Sequence, residues 1–169
     1  QKVSPVGLRI GVNKGWQSSW YANKKDFAKY IKEDDNIRTF IKKKYSNAAI
    51  SSIDIERTAT KVVVTLNTGR PGMLIGTKGA GVEEIKKELS KMVGAKTLFV
   101  NVKEVKKPDL DAVLVAEGIA SQLEKRVAFR RALKQAIQRV MKAGAKGCKV
   151  QVSGVVDGAN TIARTENYM

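Results

Sequence analysis

The sequence predicts an α+β fold made of two domains, and three observations lead to this prediction. Three short stretches of apolar residues alternate with other residues, which is the period of strands that bury one face. Two long stretches carry apolar residues every three or four positions, which is the period of amphipathic helices. Between the two groups lies Lys106-Lys107-Pro108-Asp109, a charged, proline-containing segment typical of a domain boundary. We therefore expect a three-stranded sheet with helices on one face, followed by a second, α/β domain with two helices on a sheet that is incomplete at the C-terminus.

Residues 1–23 are predicted to be a basic arm, because Pro5 and several glycines interrupt any longer element. Trp16, Trp20 and Tyr21 are interleaved with cationic residues, which suits RNA because rings stack on bases while cations meet phosphates. The other interpretation is that the tryptophans only attach the arm to the folded body. The candidate RNA contacts in the arm are Lys2, Arg9, Lys14 and Trp16.

The first folded domain, residues 24–105, is predicted to begin with two helices, over 24–32 and 37–45. Asp34-Asp35-Asn36 separates them, since short polar side chains favour helix N-termini. The run Lys42-Lys43-Lys44 is interpreted as a solvated face, because long cationic side chains commonly cover helix surfaces.

The sheet of this domain follows the two helices. Alternation predicts strands over 50–56 and 62–66, with Thr58-Ala59-Thr60 as the hairpin loop between them. A short helix is expected to begin at Pro71, because the first helical position tolerates the missing N–H of proline. The remaining elements are a helix over 82–93 and a strand over 97–103.

The central candidate site is the turn Gly76-Thr77-Lys78-Gly79, which stands directly before the amphipathic helix. Glycine accepts φ > 0 and lets the backbone of a ligand come close, because it has no Cβ. The N-terminus of the following helix favours a phosphate, and Lys78 adds a full positive charge. The other interpretation is a plain turn between two helices that binds no ligand.

The second domain, residues 106–169, is predicted to begin with a helix capped by Asp109 or Asp111. A second helix is expected over 127–142 and a strand over 148–153. A further G-x-x-G, Gly144-Ala145-Lys146-Gly147, lies between them and is interpreted as helix termination and turn. We therefore assign no RNA contact to it.

The helix over 127–142 carries the second candidate site. Its apolar stripe repeats at helical spacing, and Arg130, Arg131 and Lys134 fall together on the opposite face. No carboxylate stands between Lys125 and the end of this helix, whereas a helix that is merely soluble usually mixes in glutamates. We interpret the three cations as a phosphate-facing surface, with a solvated face as the alternative.

Composition narrows the function classes. The 169 residues carry a formal net charge of +16, which indicates a polyanionic partner, and nucleic acid is preferred to a membrane surface. There is no histidine, one cysteine, no Walker A sequence and no convincing pair of carboxylates, so neither an enzyme, a metal site nor a cofactor is predicted. No apolar run approaches the roughly 18 residues that span a bilayer.

The order helix, strand, strand, short helix, G-x-x-G, helix, strand over about residues 37–105 resembles the prokaryotic (type II) K-homology (KH) module. The segments Arg126-Val127-x-Phe129-Arg130-Arg131-Ala132-x-Lys134 and Ile162-Ala163-Arg164-Thr165-Glu166 complete a wider likeness. Nearly the whole chain is similar to the bacterial-type family of small ribosomal subunit protein three.

The resemblance implies a structural constituent of the small-subunit head that binds ribosomal RNA and helps to position messenger RNA at the entry channel. Gly76 to Gly79 would form one wall of a cleft for single-stranded RNA. Arg130, Arg131 and Lys134 would line the channel, where the family's basic residues are associated with unwinding of structured messenger RNA. The arm residues and Arg164 would contact ribosomal RNA.

The resemblance also implies protein neighbours, namely the head proteins ten and fourteen and the entry-channel proteins four and five, and a place in the cytoplasmic small subunit, with an organellar ribosome as an alternative. The competing function is a free-standing KH regulator or decay factor that binds single-stranded RNA.

Two departures from the family pattern stand near the C-terminus. Val155 occupies a position that is usually basic, and Asp157-Gly158-Ala159-Asn160-Thr161 differs in length and content. The family continues with a further basic strand-forming segment, so the resemblance implies that the sheet of the second domain is incomplete at Met169, either because the chain is truncated or because a remainder was not resolved.

Overall fold

The computed structural model of the chain describes residues 1–93, 97–155 and 163–169. The described residues divide into two compact units, Gln1–Val105 and Lys106–Met169, each with its own hydrophobic core. Both units contain helices as well as strands, so the predicted α+β class is confirmed.

The first unit consists of seven described helices and strands: β1 (Ser18–Ser19), α1 (Lys24–Lys44), β2 (Ile50–Arg57), β3 (Lys61–Thr68), α2 (Pro71–Ile75), α3 (Ala80–Val93) and β4 (Thr97–Glu104). Its strands form a four-stranded sheet in the order β1-β2-β3-β4. The β2–β3 pair is antiparallel, whereas β1 pairs with β2, and β4 with β3, in parallel.

The core of this unit follows from the alternation in the strands. Every second residue of β3, from Val62 to Thr68, is buried, and the residues between them are half-buried. The helices contribute their apolar stripes to the same core, for example Ile37 and Ile41 from α1 and Ile85 and Leu89 from α3. This packing fixes α2 and α3, and with them the glycine-rich turn that joins them.

The predicted pair of helices over 24–32 and 37–45 is wrong, because α1 runs without interruption from Lys24 to Lys44. Asp34 does not cap a helix start but lies buried in the middle of α1, on the same face as Ile37 and Ile41. The helix continues through Asp34 because of a tertiary contact. A capping side chain contributes about 1 kcal/mol, whereas the buried guanidinium of Arg57 offers the Asp34 carboxylate a stronger partner.

The arm contributes the short strand β1 to the three predicted strands. Ser18 pairs with Ile55 of β2, and the backbone N–H of Ile55 donates to the Gln17 carbonyl at 2.8 Å. The indole N–H of Trp20 donates to the Asp34 carboxylate at 2.8 Å. Trp20 therefore attaches the arm to the folded body, which is the structural one of its two interpretations.

The second unit packs two helices on a two-stranded antiparallel sheet. Asp111 is the N-cap of its first helix, where its carboxylate accepts from the backbone N–H groups of Val113 and Leu114. A core of Ile119, Phe129, Leu133 and Ala136 lies between the helices and the sheet. The elements are α4 (Ala112–Glu124), α5 (Phe129–Lys142), β5 (Val150–Gly154) and β6 (Arg164–Tyr168), of which β6 has no counterpart among the predicted elements.

Candidate nucleic-acid interface

The glycine-rich turn connects α2 to α3 through a single 3₁₀ turn over Thr77–Gly79. Gly76 has φ +65° and Gly79 has φ +85°, a region that side chains with a Cβ rarely enter. The Gly76 N–H donates to the Gly72 carbonyl at 3.0 Å and closes α2, and Thr77 is exposed. The N-terminal amides of α3 come directly after the turn, which makes this end of the helix favourable for a phosphate.

Gly81 is a further position at which the packing of the turn requires glycine, and it is not among the residues predicted from the sequence. A Cβ built on Gly81 would collide with the carbonyl oxygen of Leu74 and would lie 3.1 Å from that of Ile75. A Cβ on Gly76 would in turn lie 3.2 Å from the backbone nitrogen of Gly81. The absence of a side chain at Gly81 therefore lets the first turn of α3 rest against the end of α2. The spacing G-x-x-G-x-G was the available signal.

Two further features support the turn. Met73 and Ile75 of α2 are 55% and 41% exposed beside it, which provides apolar surface next to the cationic loop.

Lys44, at the end of α1, donates to Glu84 at 2.8 Å and to Glu88 at 2.7 Å and so ties α3 to α1. The bonds to Glu84 and Glu88 raise the pKa of Lys44, and the bond from Lys44 lowers the pKa of Glu84. Lys42 and Lys43 are exposed, as the solvated-face interpretation requires.

The cations of α5 all lie on its exposed side. Arg130, Arg131 and Lys134 are exposed, while Phe129 and Leu133 bury the opposite face. Residues three or four apart on a helix have their Cβ atoms about 5–6 Å from each other, so the three charges form one cluster. Within the described ranges, none of the three has a carboxylate within ion-pair distance. The cluster therefore carries a repulsion that a polyanion would relieve.

Arg126 precedes this cluster in a strained backbone conformation. It has φ +59°, and it stands where α4 ends in a Schellman motif. The two bonds of that motif run from the Arg126 N–H to the Leu123 carbonyl at 2.9 Å and from the Val127 N–H to the Gln122 carbonyl at 3.0 Å. Glycine is the usual residue there, and a left-handed conformation costs a residue with a Cβ roughly 1–2 kcal/mol. An exposed arginine thus occupies a position at which glycine would be more stable.

The remaining predicted contacts are spread over the surface. Lys2 and Lys14 are exposed, Arg9 donates to the Pro5 carbonyl at 2.9 Å within the arm, and Trp16 is 70% exposed. In the second unit, Arg164 is exposed on β6, opposite Gly154 of β5.

Val155, at the position that departs from the family pattern, is exposed and offers no charge, whereas residues 157–161 lie outside the described part of the chain.

Among the described residues, no group of three or more Cys, Asp or Glu side chains is arranged to hold a metal ion. In the same residues, no helix has both the length and the apolar character needed to cross a membrane.

Family models of known proteins match both the first and the second part of the chain. A family model described as KH domain matches residues 36–110, and one described as Ribosomal protein S3, C-terminal domain, matches residues 119–169. The chain is 58% identical to small ribosomal subunit protein uS3 of Finegoldia magna, over 99% of this chain and 68% of that protein. It is 54% identical to the uS3 of Clostridium novyi and 55% identical to that of Enterococcus faecalis, over 99% of this chain and 76% of each relative.

Proposed function

The chain belongs to the family of small ribosomal subunit protein uS3, and from this premise we propose that it binds messenger RNA at the entrance of the small subunit in addition to ribosomal RNA. Membership of this family makes the chain a structural, RNA-binding ribosomal protein and not an enzyme. Positioning of messenger RNA is the finer part of the proposal.

The exposed cationic face of α5, which has no ion-pair partner among the described residues, is the observation that carries the proposal. Arg130, Arg131 and Lys134 are exposed on one side of a helix whose other side is anchored in the core. A rigid helix holds the charges at fixed spacing, so phosphates can be bound without first ordering a loop. Any unwinding of structured RNA would be passive on this proposal: the cations stabilise separated strands while the ribosome supplies the movement.

The turn over Gly76–Gly79 is proposed to grip a single-stranded backbone. Its glycines open space for a sugar–phosphate chain, the α3 amides attract phosphate, and Lys78 adds charge. The exposed Met73 and Ile75 beside the turn give bases an apolar surface to rest on. Lys2, Arg9, Lys14, Trp16 and Arg164 are proposed as contacts to ribosomal RNA.

We further propose the protein neighbours that the sequence resemblance implies: proteins ten and fourteen of the head and proteins four and five of the entry channel, in a cytoplasmic ribosome. Sedimentation of a lysate through a sucrose gradient after a high-salt wash tests the assembly. The chain should remain with the small subunit in near-stoichiometric amount. Recovery at the top of the gradient would instead favour a free-standing KH regulator.

The α5 face is tested by replacing Arg130, Arg131 and Lys134 with alanine and measuring affinity for a single-stranded RNA at several salt concentrations. The slope of log affinity against log salt should flatten by roughly 0.7 per lost phosphate contact, about 2 in all. The matched control replaces Lys32, Lys42 and Lys43, three exposed lysines of α1, with alanine. If both triple variants have the same slope, the α5 face is only solvated.

The loop is tested by changing Thr77 and Lys78 together to aspartate. Single-strand affinity should fall without loss of the fold, because both residues belong to the 3₁₀ turn that joins α2 to α3. The control with the same change in charge converts Thr39 and Lys43, both exposed on α1, to aspartate. An equal effect of the two double variants would refute a specific role for the loop.

A further inference from the structure

A shallow pocket of about 420 Å³ lies in the first unit, where three segments meet. The arm supplies Tyr21 and Asn23, α1 supplies Asp26 and Tyr30, and the β2–β3 hairpin supplies residues 57–59. None of these residues belongs to the glycine-rich turn. The volume is at the lower end of the roughly 300–1,000 Å³ that small-molecule sites occupy.

The floor of the pocket is held rigid by an ionic cluster. The Arg57 guanidinium donates to Asp34 through Nε at 2.8 Å and Nη2 at 2.6 Å, and to Glu33 through Nη1 at 2.7 Å. It also lies 5.0 Å from the centre of the Tyr30 ring. Arg57 therefore directs its donors inward, and a ligand would meet a preformed wall.

The rim of the pocket, in contrast, has unused binding capacity. Tyr21 is 90% exposed. Asn23 precedes α1 but makes no capping hydrogen bond with its side chain, and among the described residues the Asp26 carboxylate has no hydrogen-bond or ion-pair partner. Lys25 and Lys29, one helical turn apart, are exposed on the same helix as Asp26. An aromatic ring, an amide and a carboxylate thus line the pocket, and two exposed cations stand on the same helix as the carboxylate.

We infer that this pocket binds a guanine base of RNA that has left its stack. Guanine presents two neighbouring N–H donors, which one carboxylate can accept together, and beside them a carbonyl that an amide can bind. Asp26 and Asn23 supply that carboxylate and that amide, and the Tyr21 ring supplies a stacking surface. Uracil offers a single N–H between two carbonyl oxygens. If one oxygen of a carboxylate accepts from that N–H, the other oxygen is repelled by a neighbouring uracil carbonyl. The inference rests on the proposed RNA-binding function and adds a base-specific contact outside the KH cleft.

The experiment follows the backbone amide signals of the isotope-labelled full chain by NMR while GMP or UMP is added up to about 10 mM, which covers millimolar dissociation constants. GMP should shift the signals of Tyr21, Asn23 and Asp26 to saturation, and UMP should bind roughly 10- to 150-fold more weakly, as expected for the loss of hydrogen bonds to a charged group. Tyr21→Ala should weaken GMP binding roughly 5- to 150-fold through loss of one stacked base, whereas Tyr21→Phe should retain it. Asp26→Asn should abolish the preference for GMP.

Binding of GMP at this pocket should not depend on the KH loop. The double aspartate variant at Thr77 and Lys78 should therefore bind GMP there with unchanged affinity. A trinucleotide with central guanine should bind more tightly than GMP, since Lys25 and Lys29 then meet additional phosphates, and equal affinity would refute RNA as the source of the base. Equal binding of GMP and UMP, or no effect of Tyr21→Ala, would overturn the inference. Absence of shifts with every nucleotide would also overturn it and would leave Tyr21, with the exposed Phe27 and Ile31, as a surface for a protein partner.

Discussion

Replacement of Asp34 by alanine should strongly destabilise the first unit. Both oxygens of the Asp34 carboxylate are engaged, because Arg57 donates twice to one oxygen while Trp20 and Ser18 donate to the other at 2.8 and 2.9 Å. The side chains of Arg57 and Asp34 are only 2% and 3% exposed. Removal of the carboxylate therefore leaves a buried guanidinium without its main partner and removes two of the hydrogen bonds that tie the arm to α1.

Breaking one partner of a buried ion pair costs about 3–5 kcal/mol. Since Glu33 still accepts from Arg57 at 2.7 Å in the variant, we expect the lower end of this range, about 3 kcal/mol. That is a large part of the roughly 5–15 kcal/mol that stabilise a typical domain. With a urea dependence of about 1–3 kcal/mol per molar, the unfolding midpoint should fall by roughly 1–3 M.

Urea unfolding followed by tryptophan fluorescence measures this loss, because Trp16 and Trp20 both lie in the first unit. Asp35→Ala is the matched control, since Asp35 is an exposed aspartate on the same helix turn. Its midpoint should stay within the small range of surface substitutions, about 0.5 kcal/mol. If Asp34→Ala and Asp35→Ala unfold at the same urea concentration, the buried pair does not stabilise the fold as described.

Three further predictions concern the RNA-binding elements. Gly81→Ala should cost about 1–3 kcal/mol of stability and weaken single-strand binding, because the added Cβ meets the end of α2. Gly72→Ala, with open space around its Cβ, should be neutral or stabilising, and equal urea midpoints of the two variants would contradict the role of Gly81. Lys44→Met should flatten the loss of stability on acidification below about pH 4.5, because the bond from Lys44 lowers the pKa of Glu84 below its ordinary value of 4.5. The stability that this bond contributes is present above pH 4.5 and is lost as the pH falls through the lowered pKa. Urea midpoints of the variant that still fall in parallel with those of the wild type would argue against the link. Arg126→Gly should raise stability by about 1 kcal/mol and reduce the salt slope of RNA binding by roughly 0.7, and an unchanged slope would show that this arginine contacts no phosphate.

The sequence by itself determined the family, the α+β class and most of the elements around the two candidate sites. The β2, β3 and β4 strands and the stripe of α5 follow from periodicity, because alternation and helical spacing depend on neighbours within a few residues. The start of the short helix α2 follows from a single residue, Pro71. The same local logic placed Arg130, Arg131 and Lys134 on one helix face and the glycines at the turn. Such features are readable from a sequence because the residues that define them are adjacent in it.

Only the tertiary structure decided the features that depend on distant partners. Asp34 is a residue type that favours helix N-caps, yet its bond with Arg57, 23 residues further along the chain, keeps it inside a continuous helix. Gly81 matters because of the carbonyls of α2, and the Tyr21 pocket exists because the arm, α1 and a hairpin tip meet. Burial makes such contacts worth several kcal/mol, more than the local preferences they override, and burial is a property of the folded chain.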